Sequence, residues 1–168
     1  MVLRIELFLL VGVGLVFALL LFQDASNVDA VESNSSKELS FKNFSLIEIT
    51  PQGVENRLAA SEAMKYRTHF ELTDVNITYQ NTQHLLAKRA TYRDDFITLE
   101  DSVVLQRDDG FAFETSALAY SVPSKQLHNK VAFQIDMNES RIVGENLRYD
   151  FNEKNVSADR IRAKIYFQ

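Results

Sequence analysis

The chain has 168 residues, no cysteine, and a net charge of −5 from 18 basic and 23 acidic residues. The lack of cysteine excludes disulfides, thiol catalysis and cysteine-ligated zinc or iron–sulfur sites. The mildly acidic balance offers no basic field, so we expect no nucleic-acid partner. A hydrophobic content of 46% argues against a disordered chain and is sufficient for one folded domain.

An apolar segment at the N-terminus has the length of a membrane anchor. Residues 7–22 carry no charge, and a helix over residues 1–22 would be about 33 Å long, against about 30 Å for a bilayer core. Arg4 precedes this segment and three acidic residues follow it, which favours a cytoplasmic N-terminus. We therefore predict a single-pass transmembrane anchor at residues 1–22. A signal peptide cleaved near Val28–Ala30 is the alternative, and both interpretations export the remainder.

Two further segments follow the predicted anchor. Residues 23–38 are polar, rich in Ser and Asn, and without periodicity, which is typical of a linker. The remaining residues carry strand-like patterns to the end of the sequence. We therefore assign residues 39–168 to one exported domain.

A repeat that is marked by tyrosine organises the exported domain. In each unit a short segment ends in tyrosine, a polar turn follows, and another apolar-rich run comes next. Within these runs apolar residues recur at every second position, as in Val131, Phe133 and Ile135, and a period of two is the signature of a β-strand. The tyrosines recur at spacings of 26, 28 and 29 residues: Tyr66, Tyr92, Tyr120 and Tyr149.

The repeat predicts an all-β domain of antiparallel strands with one apolar face. Such a sheet must close, fold over or stack to hide that face. We therefore expect an antiparallel folded-over sheet or β-jellyroll, preceded by one N-terminal transmembrane helix. Residues 58–66 have the composition of a short helix, but their place in the repeat favours a strand.

Two stretches of the repeat carry motifs that resemble those of a known family. Residues 96–120, FITLEDSVVLQRDDGFAFETSALAY, place an apolar run before an F-x-T-x-x-L-x-Y motif. Residues 142–156, IVGENLRYDFNEKNV, contain an I-x-G-x-x-L-x-Y-D motif. Together with the order of anchor, linker and strand repeats, this pattern resembles the LptC family and, more distantly, its soluble partner LptA.

The resemblance implies a location and a function. LptC proteins are anchored in the bacterial inner membrane and project a β-jellyroll into the periplasm. They receive lipopolysaccharide from the LptB–LptF–LptG ABC transporter and pass it to LptA along jellyrolls that join edge to edge. The transporter supplies the ATP energy, and this sequence has no G-x-x-x-x-G-K-S/T motif. We therefore expect an inner-membrane protein with a periplasmic domain, without enzymatic activity and without a cofactor.

The alternating apolar residues are the expected lipid-binding interior. Acyl chains expose a large apolar area, and at about 25 cal/mol per Å² an apolar trough is a better path for them than water. The same residues can form an ordinary filled core, and the alternative function is a membrane-tethered scaffold or interaction domain that binds no lipid. The residues expected to line the trough are Phe70, Leu72, Val75, Ile77, Tyr79, Leu105, Phe111, Phe113, Leu118, Tyr120, Phe133, Ile135, Leu147 and Tyr149.

An open sheet has two unpaired edges at which partner strands can add. The resemblance assigns the first strand to the transporter and the last strand, over residues 161–167, to an LptA-like protein. Cations on the last strand form either a stripe for an acidic partner or lipid phosphate, or a guard against aggregation. The predicted N-terminal edge comprises Phe41, Phe44, Leu46, Ile47 and Ile49. The predicted C-terminal edge comprises Arg160, Ile161, Arg162, Ala163, Lys164 and Ile165.

No cluster of residues predicts a catalytic or metal site. His69, His84 and His128 fit no short metal motif and lie at or near predicted turns, where we expect solvated side chains. The acidic pairs at residues 94–95 and 108–109 fall in predicted hairpin turns, where Asp bonds to the local backbone. We therefore expect no catalytic residues and no metal.

Five asparagines begin an N-x-S/T sequon, the acceptor pattern of N-glycosylation. Four of these sequons also have an acidic residue two positions before the asparagine, a form that resembles the acceptor of a bacterial N-glycosylation system. Coincidence in a chain rich in Asn, Asp and Ser is the simpler interpretation of the sequence alone. The five asparagines are Asn34, Asn43, Asn76, Asn138 and Asn155.

Overall fold

The computed structural model describes residues 37–49, 53 and 55–166. The predicted anchor and nearly all of the predicted linker lie outside these residues. Across the described ranges, no helix has the length and apolarity that a membrane crossing requires. The strands are β1 (Lys37–Ile49), β2 (Glu55–Tyr66), β3 (Phe70–Tyr79), β4 (Gln83–Arg93), β5 (Phe96–Arg107), β6 (Phe111–Ser121), β7 (Gln126–His128), β8 (Ala132–Met137), β9 (Ser140–Asp150) and β10 (Asn155–Lys164).

The strands form one sheet, and each pairing between them is antiparallel. Their order across the sheet is β1-β2-β3-β4-β5-β6-β7-β9-β10, and β8 shares the position of β7 because both pair with β6 and β9. The prediction of an antiparallel all-β domain is therefore confirmed. Residues 58–66 lie within β2, so the strand interpretation of that segment is also confirmed.

Tight turns join β4 to β5 and β5 to β6, and their backbone angles explain the residues found there. Asp94 and Asp95, between β4 and β5, have φ of 49° and 61°, as a type I′ hairpin turn requires. Gly110 precedes β6 with φ of 86°. The carboxylate of Asp109 accepts a hydrogen bond from the Phe111 N–H at 3.2 Å. Both acidic pairs therefore lie in turns, as the sequence predicted.

Irregular residues interrupt the long strands near their midpoints and line up across the sheet. In β3, Leu72 and Val75 are both buried although strict alternation would put them on opposite faces, and Asp74 between them adopts φ of 50°. Hydrogen bonds from Ser61 on β2 and Lys88 on β4 converge on the Asp74 carboxylate. We call this line the crease; its positive-φ residues are Asn43, Asp74, Asp101, Ser102, Asn146 and Arg160.

The apolar-rich run over residues 127–135 is divided at the crease into β7 and β8, so it does not form one continuous strand. Asn129 lies between β7 and β8 and is only 4% exposed. Its Nδ2 donates to Thr115 Oγ1 at 3.0 Å, and its Oδ1 accepts from the Leu147 N–H at 2.9 Å. The asparagine side chain thus satisfies buried polar groups where the regular ladder stops.

One face of the sheet carries the core. Buried apolar side chains from β2 through β9 form a single cluster, and the turn residue Phe151 joins it. The described residues contain neither a second sheet nor a helix that could cover this face. The sheet must therefore cover its own apolar face, and the crease is the line at which its two halves fold together. This arrangement agrees with the predicted folded-over, jellyroll-like sheet.

Candidate functional site

Two rows of inner-face residues run from one edge of the sheet to the other. Residues directly opposite each other on paired strands share a face. Following these pairs from each strand to the next therefore gives a row with one residue from each strand that it crosses. On one side of the crease, the Leu46 row is apolar throughout: Leu46, Leu58, Ile77, Leu85, Leu105, Phe113, Ile135, Ile142 and Ala163. On the other side, the Leu39 row comprises Leu39, Lys65, Phe70, Tyr92, Ile97, Tyr120, Leu127, Tyr149 and Val156.

The fourteen residues predicted to line a trough all belong to this inner face. Ten of them are buried members of the core cluster, and four are half-buried and pack against it. The rings of Phe113 and Phe133 stack at 6.0 Å between centroids. The structure therefore brings the predicted set together, and its contact with lipid stays a prediction. The four half-buried members are Leu105, Phe111, Ile135 and Tyr149.

Exposure along the inner face rises sharply at the two terminal strands. In the centre, Leu85, Leu99 and Val103 are 2%, 1% and 0% exposed. On β1, Phe41 is 45% exposed, and on β10, Val156 is 61% exposed. Both side chains continue the inner face, because they pair with inward residues of the neighbouring strands. The apolar interior thus ends at each edge in side chains that another molecule can cover.

The predicted N-terminal edge divides between the two faces of β1. Phe44 and Leu46 pack against the core, and the rings of Phe41 and Phe44 lie 6.3 Å apart. Ile47 and Ile49 belong to the outer face and are 48% and 77% exposed. Among the described strands β1 pairs with β2 alone. One backbone edge of β1 is therefore available to pair with an added strand.

The predicted C-terminal edge is strand β10, which ends earlier than expected. The strand stops at Lys164, so Ile165 follows it, and residue 167 lies outside the described residues. Ile161 packs over Gly144 of β9: a Cβ built on that glycine would lie 2.5 Å from the Ile161 Cδ1 atom. Of the strands that the structure describes, β9 is the one that pairs with β10. The opposite edge of β10 is therefore open to another strand.

The cations of the C-terminal edge lie on exposed positions. Arg160 sits in the crease with φ of 50°, and its Nε atom is 2.7 Å from Glu145 Oε1 on β9. Arg162 and Lys164 are exposed, and Ala163 between them belongs to the Leu46 row. The edge therefore combines an apolar inner side with a positively charged outer side. This distribution fits either a guarded edge or a stripe that meets an acidic partner.

A depression of about 840 Å³ lies on the outer face beside this cationic edge. Glu114 and Glu145 bring negative charge to it, and Arg160 and Arg162 bring positive charge. The surface next to β10 therefore presents both signs of charge. Its floor includes the outer-face row Val104, Glu114, Gln134, Val143 and Arg162.

Near the turn between β3 and β4, two positions of the inner face carry polar instead of apolar side chains. Asn56 and Gln83 are 8% and 9% exposed. Asn56 donates to Glu48 Oε2 at 2.9 Å and accepts from the Gln80 N–H at 3.1 Å. The Oε1 atom of Gln83 has no hydrogen-bond partner in the described part of the chain. A buried carbonyl oxygen without a partner costs about 1–3 kcal/mol, so Gln83 lowers the stability of the fold at this position.

The three histidines are half-buried, which corrects the expectation of solvated side chains. His69 Nε2 lies 3.0 Å from Glu71 Oε1, and His84 Nδ1 lies 3.3 Å from Thr78 Oγ1. Burial lowers the pKa of His128 below its ordinary value, and two nearby cations lower it further. Over the described ranges, no three His, Cys, Asp or Glu side chains are grouped so that they could hold a metal ion. His69 and His84 thus act as local hydrogen-bonding partners.

Carboxylates on the outer face are paired with cations. Lys88 Nζ lies 3.1 Å from Asp74 Oδ1, and this hydrogen bond lowers the Asp74 pKa. Arg141 Nε lies 2.6 Å from Asp136 Oδ1 and lowers the pKa of that carboxyl in the same way. These groups are therefore ionised at neutral pH and join neighbouring strands electrostatically.

Three of the most buried inner-face residues were not predicted from the sequence. Leu85, Leu99 and Val103 were not in the predicted set, although they are the least exposed apolar residues besides Tyr120. The sequence carried a signal, because most of the long strands have two pairs of alternating apolar residues with a longer gap between the pairs. In β5, for example, Ile97 and Leu99 precede the gap and Val103 and Leu105 follow it. The gap marks the crease.

Comparisons with known proteins agree with this geometry. A protein-family model described as "Lipopolysaccharide-assembly, LptC-related" matches residues 7–157. No curated protein matches the chain. Among solved structures, the chain is similar to LptH of Pseudomonas aeruginosa, described as the LptA homologous periplasmic component of the lipopolysaccharide transport device.

The LptH likeness has a TM-score of 0.52 at 15% sequence identity and covers 66% of this chain and 94% of that one. It shows a common fold. The family model covers most of the chain, and the resemblance drawn from the repeat motifs is thereby confirmed. This chain belongs to the LptC family, the periplasmic lipopolysaccharide-transport components.

Proposed function

We propose that this chain receives lipopolysaccharide from an LptB–LptF–LptG-type transporter and passes it along its inner face to an LptA-like periplasmic protein. The N-terminal segment anchors it in the inner membrane with a single pass and a cytoplasmic N-terminus. The chain performs no catalysis and uses no cofactor, and the transporter supplies the energy. Membership of the LptC family supports the transport role, and the handoff between partners is our inference.

One observation carries this proposal. The Leu46 row is apolar from β1 to β10, and both ends of the inner face are exposed. If the residues at both ends of the apolar row were buried, the row would only need to be part of an ordinary core. A row that continues into open edges instead matches a path that extends into the next molecule, with strand pairing at the edge and apolar side chains in line.

The centre of the inner face constrains how lipid can pass. Val103 and Leu99 are 0% and 1% exposed, so the two half-sheets are in contact there. Acyl chains must part the half-sheets at the crease, and the apolar contacts that are broken are replaced by contacts with the chains. At about 25 cal/mol per Å² this exchange costs little, because the apolar area remains covered. The sugars and phosphates would stay at the rim in water.

Site-specific photo-crosslinking in cells with active transport tests the proposal. A photo-reactive residue at Phe41 is expected to capture lipopolysaccharide, because this position is on the inner face and 45% exposed. A photo-reactive residue at Ile47 is the matched control, since it is 48% exposed on the outer face of the same strand. Equal capture at both positions, or none at either, would contradict passage along the inner face.

The tight centre favours a second candidate function, a membrane-tethered scaffold with a filled core. The two functions differ at Phe113 and Phe133, which are 5% and 4% exposed. Transport predicts lipopolysaccharide adducts at these central positions while the transporter hydrolyses ATP. A scaffold predicts protein adducts at the two edges and no lipid adducts at the centre.

A further inference from the structure

The acidic residues that precede four of the five sequons are more numerous than chance predicts. Acidic residues fill 23 of the 168 positions, so fewer than one of the five sequons is expected to have an acid two positions before its asparagine. Glu32, Asp74, Asp136 and Glu153 occupy that position, and Asn43 alone lacks the acid. Ion pairs within the fold account for two of these acids, Asp74 with Lys88 and Asp136 with Arg141.

The structure adds an independent observation about accessibility. Asn76, Asn138 and Asn155 of the described acid-preceded sequons are all exposed. The buried asparagines, Asn56 and Asn129, are 8% and 4% exposed, and neither begins a sequon. Every sequon asparagine that the structure describes is therefore available to an enzyme from outside. A glycan on these positions would also leave the inner face unobstructed.

The exposed sequons differ in how many neighbouring strands pair with their backbone, and this difference predicts how easily a transferase reaches each one. Asn155 is the first residue of β10, the edge strand, and Glu153 is exposed in the turn before it. Asn138 lies in the turn between β8 and β9 with φ of 53°. Asn76 is inside β3, which pairs with β2 and β4 on its two sides. A transferase that must bind an acceptor segment reaches turns and edges more easily than a central strand.

We propose that Asn155 and Asn138 are acceptor sites for an N-linked oligosaccharide. The donor is an oligosaccharide carried on a lipid diphosphate, and a transferase in the exported compartment moves it. The Asn Nδ2 atom forms a bond to the anomeric carbon, the bond from that carbon to the diphosphate oxygen breaks, and the lipid diphosphate leaves. The amide loses one proton to a base of the transferase, and nothing is oxidised or reduced.

The acidic residue at the second position before the asparagine provides a charge that the transferase can recognise. Glu153 is exposed and ready for such a contact, whereas Asp136 is engaged by Arg141 at 2.6 Å. We therefore expect higher occupancy at Asn155 than at Asn138. The proposal uses the periplasmic location of the family and is independent of lipid passage, so the photo-crosslinking at Phe41 can fail without affecting it.

Mass spectrometry of peptides from the full chain, purified from its native host, tests the proposal. A glycan mass is expected on the peptides that contain Asn155 and Asn138. The peptide that contains Asn43 is an internal control without the acid, and Asn76 is an internal control with the acid inside a paired strand. Both control peptides are expected at their unmodified mass. Unmodified masses at both Asn155 and Asn138 would overturn the proposal.

Two variants separate the extended motif from the minimal sequon. Glu153→Gln keeps both Asn155 and the hydroxyl residue of the sequon. This variant is expected to lower the glycan occupancy of Asn155 at least tenfold. Lys154→Gln changes the next residue of the same turn and is expected to leave occupancy unchanged. Unchanged thermal unfolding would show that both variants fold, since both side chains are exposed. A glycan that persists in E153Q would overturn the proposed recognition of the acid.

Discussion

The centre of the sheet and its two terminal strands carry the same apolar face but differ in what covers it. Between β3 and β6 most inner-face residues contact one another and are nearly inaccessible, as Leu99 at 1% exposed illustrates. On β1 and β10 the same face is half open, with Phe41 at 45% and Ile161 at 49%. The fold itself therefore covers the apolar side chains of the centre, whereas it leaves those of the two terminal strands partly open to water.

The largest effect on the free energy of unfolding is expected from one of two side-chain truncations, which together test this difference. Leu99→Ala is expected to lower the free energy of unfolding by about 2–5 kcal/mol, because it leaves a cavity in the centre. Phe41→Ala is expected to cost less than about 1 kcal/mol in the isolated chain, since nearly half of that ring is already in water. Urea denaturation followed by circular dichroism measures both. Similar losses would mean that β1 is packed as firmly as the centre.

A second test concerns the contact that holds β10. Gly144→Ala is expected to destabilise the chain by about 1–3 kcal/mol, because the new methyl group would lie 2.5 Å from Ile161 Cδ1 and 2.9 Å from Phe133 Cζ. Combining it with Ile161→Ala should restore part of the loss, since the closest contact disappears. Urea denaturation of the single and double variants gives the coupling energy. Additive losses would contradict the packing of Ile161 over Gly144.

The strand pattern and the membership of the inner face could be predicted from the sequence because both are local. Phe133 and Ile135 alternate with polar neighbours, and a period of two fixes which side chains share a face. The crease could not be predicted with the same ease. Its residues, such as Asp74, resemble ordinary surface residues, and their alignment depends on the register between strands.

The difference in exposure between the centre and the terminal strands could not be predicted from the sequence. Phe41 and Phe113 have the same chemistry and alternate in the same way, yet one is 45% exposed and the other 5%. What separates them is the number of neighbouring strands, which is a property of the sheet order. The interruption at Asn129 is similar, because only the fold reveals that its amide meets Thr115 and Leu147.

A third test examines the one charged residue of the two rows. Lys65 belongs to the Leu39 row next to the β1 edge, 3.5 Å from Glu38 Oε2 and 5.9 Å from the centre of the Phe70 ring. Lys65→Met is expected to change the free energy of unfolding by less than about 1 kcal/mol, because a partly exposed ion pair contributes little. A loss of several kcal/mol in urea denaturation would mean that the row is closed to water at this edge.

The smallest expected effect is a pH dependence that originates at His128, a half-buried residue of β7. Burial lowers the pKa of His128 from its ordinary value of 6.5, and Lys130 and Arg148 lower it further. As pH falls through about 6.5, the unfolded chain therefore binds a proton before the folded chain does. The stability that His128 contributes is present above this pH and is lost as pH falls towards the folded pKa.

His128→Gln tests that contribution, because glutamine is polar and does not titrate. Between pH 7.5 and pH 5.5 the unfolding midpoint in urea is expected to fall more for the original chain than for the variant. The carboxyls with a lowered pKa, such as that of Asp136, have an ordinary pKa of 3.8, so they change the stability only at lower pH. Equal slopes in the two chains would mean that His128 is as accessible to water in the folded chain as in the unfolded chain.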